Sequence, residues 1–136
     1  MERRDLIKEQ IEQIGRVLGR LLADFLSMKT EGDMDLAIEA TNAQLKSELD
    51  LDIDQLIHFS SEDLEKYILE RRFEDTDIDK LANYLYEIGQ FQTLIAQPSA
   101  PYFKTAKALL AINDSFSKTI TFERIALLQK IEDELR

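Results

Sequence analysis

The sequence predicts an all-α fold, a compact bundle of about six to seven helices in one domain over residues 1–136, and three observations carry that reading. Apolar residues recur at steps of three and four along several long stretches. Gly and Pro number only four and two in 136 residues, too few to punctuate a many-stranded sandwich. Hydrophobic residues make up 44% and charged residues 32%, a mixture that folds around a core rather than staying disordered.

The first helix is expected over residues 3–30. Ile7, Ile11, Ile14, Leu18, Leu21, Phe25 and Met28 alternate steps of four and three, and Leu6, Val17, Leu22 and Leu26 widen the stripe. Such a stripe suits a helix packed against several neighbours better than a two-stranded seam. Gly15 and Gly19 share one face and weaken the helix, so they are expected to admit the backbone of another helix. Gly32 ends this helix and Asp33 caps the next, which carries Asp35 in its first turn and reaches about residue 48.

A short helical turn is expected over 52–58, followed by a helix capped by Ser60 with Asp63 three residues on. That helix carries Leu64, Tyr67 and Ile68 and ends near Arg71 and Arg72. The acidic run at 74–77 reads as a break. Ile78, Leu81, Leu85 and Ile88 then repeat as one face of a helix ending between Gly89 and the segment QPSAP at 97–101. Ser99 caps the following helix, Pro101 fits its first turn, and Phe103, Ala106 and Leu110 mark its inner face. A last helix carries Ile125, Leu128, Ile131 and Leu135 inward. The β-branched cluster KTITF at 118–122 allows a short extended piece.

Charge and composition exclude several functions. The net charge of −10 argues against a nucleic-acid partner, which needs clustered Lys and Arg. The absence of cysteine removes thiol nucleophiles, disulfides and cysteine-ligated zinc, and suits a reducing cytoplasm. No signal-peptide core interrupts the charged N-terminus and no run of apolar residues is long enough to span a membrane, so no membrane partner is expected. Residues 31–79 carry 16 acids and four bases, whereas residues 88–130 carry two acids and five bases. The acidic middle reads as a solvated face; the sharper alternatives are a docking face for a basic partner or self-association of unlike faces.

Two segments resemble the helical hairpins of tetratricopeptide repeats. In KTEGDMDLAIEATNAQL (29–45), Gly32-Asp33 sits at the turn and Ala37 at a small position of the second helix. In LANYLYEIGQF (81–91), Leu81, Ala82, Leu85, Tyr86, Gly89 and Phe91 follow the repeat's order of large, small, large, aromatic, glycine and aromatic, with the glycine ending the helix. Gly32 and Gly89 lie 57 residues apart, against about 34 for that repeat. Phe25 and Pro98 also depart from it, so two imperfect hairpins with helices inserted between them are expected rather than a regular solenoid.

The chain also resembles a group of small uncharacterised bacterial proteins with a domain of unknown function. Arg4-Asp5-Leu6-Ile7, IEQIGRVLGRLL at 11–22, the Gly32-Asp33 turn, Ala37, Ser60, Asp63 and Leu64 carry that likeness. The resemblance implies a bacterial helical protein and transfers no catalytic residue.

Reactive chemistry finds little support in the sequence. Asp50, Asp52, Asp54 and Asp75, Asp77, Asp79 alternate like the start of an EF-hand loop, but Gln55 and Lys80 stand at the glycine position and Ser61 and Tyr86 at the glutamate position. Capping and solubility account for these acids, and no metal site or cofactor is expected. His58 is the only histidine; Ser60, Ser61 and Asp63 follow it without the geometry of a nucleophile and its base, so it reads as a packed or surface residue. No enzyme activity is expected.

The tetratricopeptide-like reading places Lys29, Thr30, Asn83 and Tyr86 along a candidate binding groove for an extended peptide or partner helix. The ordinary account puts Tyr86 in the core and Asn83 on the surface. The expected function is therefore a non-catalytic protein-protein interaction module, engaging a protein partner or a second copy as a homodimer. The alternative is a small-ligand sensor with a pocket between helices, its polar groups drawn from Tyr67, Tyr84, Tyr86, Tyr102 and Asn113.

Overall fold

The computed structural model describes residues 3–117 and 121–136, with side chains from residue 8 onward. Seven helices and no strands occur among the described residues: α1 (Arg3–Thr30), α2 (Met34–Leu49), α3 (Ile53–Leu56), α4 (Ser61–Arg71), α5 (Asp75–Leu94), α6 (Ala100–Phe116) and α7 (Phe122–Glu134). The all-α bundle read from the sequence is thus present.

Helix ends follow from local chemistry. Gly32 adopts φ +104°, a left-handed conformation that disfavours any side chain, and so turns α1 into α2. Asp33 accepts the Leu36 N–H at 3.0 Å, and Ser60 accepts the Asp63 N–H at 3.1 Å, each satisfying an amide that the first helical turn leaves unpaired. Asp52 does the same for Gln55 at the start of α3. The break between α4 and α5 falls at 72–74 and does not extend through the run to 77: Glu74 is the N-cap of α5, and Asp77 Oδ2 accepts the Glu74 N–H at 3.0 Å in a reciprocal capping box. Ser99 occupies the N-cap position of α6 but makes no side-chain capping bond; its backbone carbonyl accepts from Tyr102 and Phe103 instead.

At the other end of α2 the chain reaches left-handed Asp50, φ 52°. Arg71, near the end of α4, donates to the Leu49 and Asp50 carbonyls at 2.7 and 2.8 Å. The guanidinium thus satisfies terminal carbonyls and meets the negative end of the helix dipole, with its carbon 4.7 Å from the centre of the Tyr67 ring.

The core runs between α1 and α5 and on through α6. Leu18, Leu21 and Phe25 of α1, Leu45 of α2, Leu81 and Leu85 of α5, and Phe103 and Leu109 of α6 are all buried. Each such side chain contributes about 1.5–3 kcal/mol on leaving water. α1 packs on α2 and α5; α5 packs along α6; α7 lies on α5 and α6, and α4 on α6. Gly89 sits within α5 rather than ending it: a Cβ there would stand 2.7 Å from Phe103 Cε1, so glycine is what lets the Phe103 ring lie against the helix. Gly15 and Gly19 face side chains rather than a backbone, with a Cβ 3.2 Å from Asp77 Oδ1 at the first and 3.4 Å from Lys80 Nζ at the second.

α7 is rotated from the expected stripe. Leu127 and Ile131 are buried, Ile125 is 54% exposed, and Arg124 points inward. The reason is polar. Arg124 Nε and Nη2 each donate to an Asp79 carboxylate oxygen at 3.0 Å, and Nη1 reaches Asp114 at 3.3 Å. Asn113 Nδ2 also bonds Asp79, at 2.7 Å, and the Asp75 carbonyl at 2.9 Å. Most of the segment expected to be extended, residues 118–120 of 118–122, lies outside the described residues; Thr121 caps α7 by accepting the Arg124 N–H.

Candidate functional site

The sequence-predicted groove residues divide between two faces of α5. On one face, α1 and α5 form a cleft of about 290 Å³ lined by Leu22, Phe25 and Leu26 of α1 and Lys80, Asn83, Tyr84 and Glu87 of α5. The α5 residues recur at helical spacing, so one stripe of that helix supplies the whole wall. Phe25 and Tyr84 meet edge to face, ring centres 4.9 Å apart, and the Tyr84 hydroxyl donates to Asn42 Oδ1 of α2 at 2.6 Å. The apolar floor is therefore fixed by three helices. Burial pushes the Tyr84 hydroxyl well above the usual phenol range, so it stays protonated and acts as a donor.

Asn83 lines this cleft, exposed, with its amide bonded to the Asp79 carbonyl at 3.0 Å. Lys29 stands at its rim, where Nζ meets Glu87 Oε2 at 2.8 Å. Leu26, 52% exposed, forms the edge. The two expected residues Lys29 and Asn83 thus come to one place. Thr30 does not join them as a side chain: its hydroxyl turns back to the Ser27 carbonyl at 2.7 Å and closes the end of α1.

Tyr86 faces the other way. Its ring is buried, 5.8 Å from the centre of Phe103 on α6, and its hydroxyl accepts from Gln90 at 2.9 Å. Burial, then the carboxylate of Glu134 at the end of α7, push that hydroxyl upward. Tyr86 is a core residue of the α5–α6 pair and does not line the cleft.

Among the described residues, several of the polar groups weighed for a small-ligand pocket have separate neighbours. Tyr67 lies against Phe59 and Arg71, Tyr86 against Phe103, and Asn113 against Asp79. Of the five, only Tyr84 lines the α1/α5 cleft.

The alternating acids have local partners. Asp50 and Asp52 flank the α2–α3 turn, Asp77 closes the α5 capping box, and Asp79 holds Arg124. Among the described residues, no group of three or more His, Asp or Glu side chains is placed to hold a metal ion. No described helix is long and apolar enough to cross a membrane. Sequence reasoning missed Lys80, Glu87 and Leu26 as cleft residues. The signal was present in the spacing of Lys80, Asn83, Tyr84 and Glu87, one face of one helix. Comparison of the chain with family models, with curated proteins and with solved structures gives no match.

Proposed function

We propose that the protein is a non-catalytic helical interaction module of the bacterial cytoplasm, and that the α1/α5 cleft is where it receives a partner protein. The cleft supports this reading: an apolar floor of Leu22, Phe25 and Tyr84, open at half-exposed Leu26, lies between charged or polar rims formed by Lys80, Asn83 and the Lys29–Glu87 pair. A groove of that kind takes the apolar side chains of an extended peptide or an amphipathic helix, while rim charges set orientation. The cysteine-free composition supports the cytoplasmic part, and the tetratricopeptide-like hairpin order supports a peptide-sized partner.

Selection of displayed peptides against the immobilised chain tests the reading. Peptides carrying two or three apolar anchors are expected, with affinity falling about tenfold or more when Leu26→Asp places a charge at the mouth of the cleft. Peptides that bind the Leu26→Asp variant as tightly as the original would contradict it. Light scattering across concentration decides whether a second copy is the partner: a dimer that Leu26→Asp dissociates assigns the cleft to self-association.

A further inference from the structure

A second cleft, of about 400 Å³, lies between the α3–α4 connection and the start of α6, away from α1. Its wall is built from His58, Ser60, Ser61, Lys104 and Thr105 with an apolar side that includes Phe59. None of its lining residues is acidic, although the chain carries a net charge of −10. Lys104 has no ion-pair partner among the described residues, as is also true of Lys8, Lys66, Lys80 and Lys130.

Thr105 supplies the observation that points to a ligand. The residue is only 5% exposed, yet its hydroxyl makes no hydrogen bond among the described residues. Nor is that oxygen among the sealed, unpartnered atoms, which are Thr41 Oγ1 and Asn113 Oδ1. The hydroxyl of a nearly buried residue therefore keeps its opening to the cleft that the residue lines. A hydroxyl that no protein group engages, on a residue otherwise buried, is free to bond a ligand that enters the cleft.

The backbone around it favours a negative charge. Ser60 Oγ takes the Asp63 N–H, and the N–H groups of Ser61 and Glu62 precede the first intrahelical bond of α4. α6 begins at Ala100, with Pro101 of its first turn lining the same cleft; it has no side-chain cap and no acid in its first turn to oppose the positive end of its dipole. The acids of α4's first turn, Glu62 and Asp63, are exposed and do not line the cleft.

We propose that this cleft binds a phosphate group. The donors are the Lys104 ammonium, the Thr105 and Ser61 hydroxyls, the first amides of α4 and the His58 ring. They exceed what a two-oxygen carboxylate uses and suit three phosphate oxygens. The proposal is independent of the α1/α5 cleft and stands whether or not a protein docks there.

The test titrates inorganic phosphate, phenyl phosphate and acetate separately into the isotope-labelled full chain and follows the backbone amides by NMR. Saturable shifts centred on Ser61, Glu62 and Thr105 are expected, with phosphate bound about tenfold more weakly by Lys104→Ala and about threefold more weakly by Thr105→Val. Tighter binding of phenyl phosphate than of the inorganic ion assigns the site to a phosphate ester lying against the apolar side; equal binding assigns it to free phosphate. Shifts that do not saturate, acetate bound as tightly as phosphate, or unchanged affinity in Lys104→Ala overturns the proposal. Lys104 is exposed and Thr105→Val keeps the side-chain shape, and thermal unfolding of each variant verifies that the fold is intact.

Discussion

Arg124 of α7 and Asp79 of α5 meet through two parallel contacts of 3.0 Å each, and the arginine side chain is only 4% exposed. The pair joins residues 45 positions apart and fixes which face of α7 turns inward. Arg124→Ala would leave Asp79 and Asp114 without their shared partner, with the Asp79 carboxylate 27% exposed and still held by Asn113. A loss of about 2 kcal/mol is expected, below that of a fully buried pair, because the stranded Asp79 carboxylate keeps partial access to water and the Asn113 donor. Urea unfolding measures it, and a double Asp79→Leu, Arg124→Leu variant should recover part of the loss. A single-variant loss below about 1 kcal/mol would mean that the pair is solvated like a surface one.

Gly89 and Phe103 give a second, steric prediction. Alanine at position 89 removes a helix-weakening glycine, worth about 1 kcal/mol in an open helix. Here its Cβ would lie 2.7 and 2.9 Å from two ring carbons of Phe103, so the ring must move within a packed core. The clash outweighs the propensity gain, and Gly89→Ala should destabilise by about 1–3 kcal/mol net. Coupling it with Phe103→Leu should restore much of the loss in denaturant unfolding; a stabilised single variant would show that α5 and α6 can spread apart.

Tyr84 couples stability to alkaline pH. Burial raises its folded-state pKa above the ordinary phenol value, so above about pH 10 the unfolded chain releases a proton that the folded chain keeps. Its contribution is complete below that pH and falls as pH rises further. Tyr84→Phe should lose about 1 kcal/mol at neutral pH with the Asn42 hydrogen bond, and should decline less steeply in alkali. Urea midpoints at neutral and alkaline pH for both proteins check the sign; parallel declines would assign the alkaline loss to Tyr67 or Tyr86.

Ser60 caps α4 and also stands in the wall of the phosphate cleft. Ser60→Ala should cost about 1 kcal/mol of stability, whereas Ser60→Asp should keep the cap. The aspartate should nevertheless weaken phosphate binding, because it places a negative charge in an acid-free wall. Unfolding and phosphate titration on the same two variants separate the two roles.

The helices were legible because each carries its own signal. Asp33 and Ser60 cap through bonds three residues long, and the α1 stripe repeats within one helix. The misread positions depend on partners distant in sequence. Ile125 looked like the inner face of α7 until Arg124 was drawn in by Asp79, and Gly89 looked like a helix end although its role is set by Phe103. The cleft followed the same division. Lys29 and Asn83 lie at one rim because α1 and α5 pack together, whereas Tyr86, only three residues from Asn83, belongs to the α6 side of the same helix. The phosphate cleft escaped the sequence because His58 and Lys104 lie 46 positions apart and meet only when α4 packs on α6.

Partner recognition by the α1/α5 cleft is tested most directly by mapping a selected peptide onto the isotope-labelled chain. The account predicts amide and methyl shifts confined to Leu22, Leu26, Asn83, Tyr84 and Glu87, and their disappearance in Leu26→Asp. Shifts centred elsewhere on the surface, with the cleft residues unmoved, would contradict it.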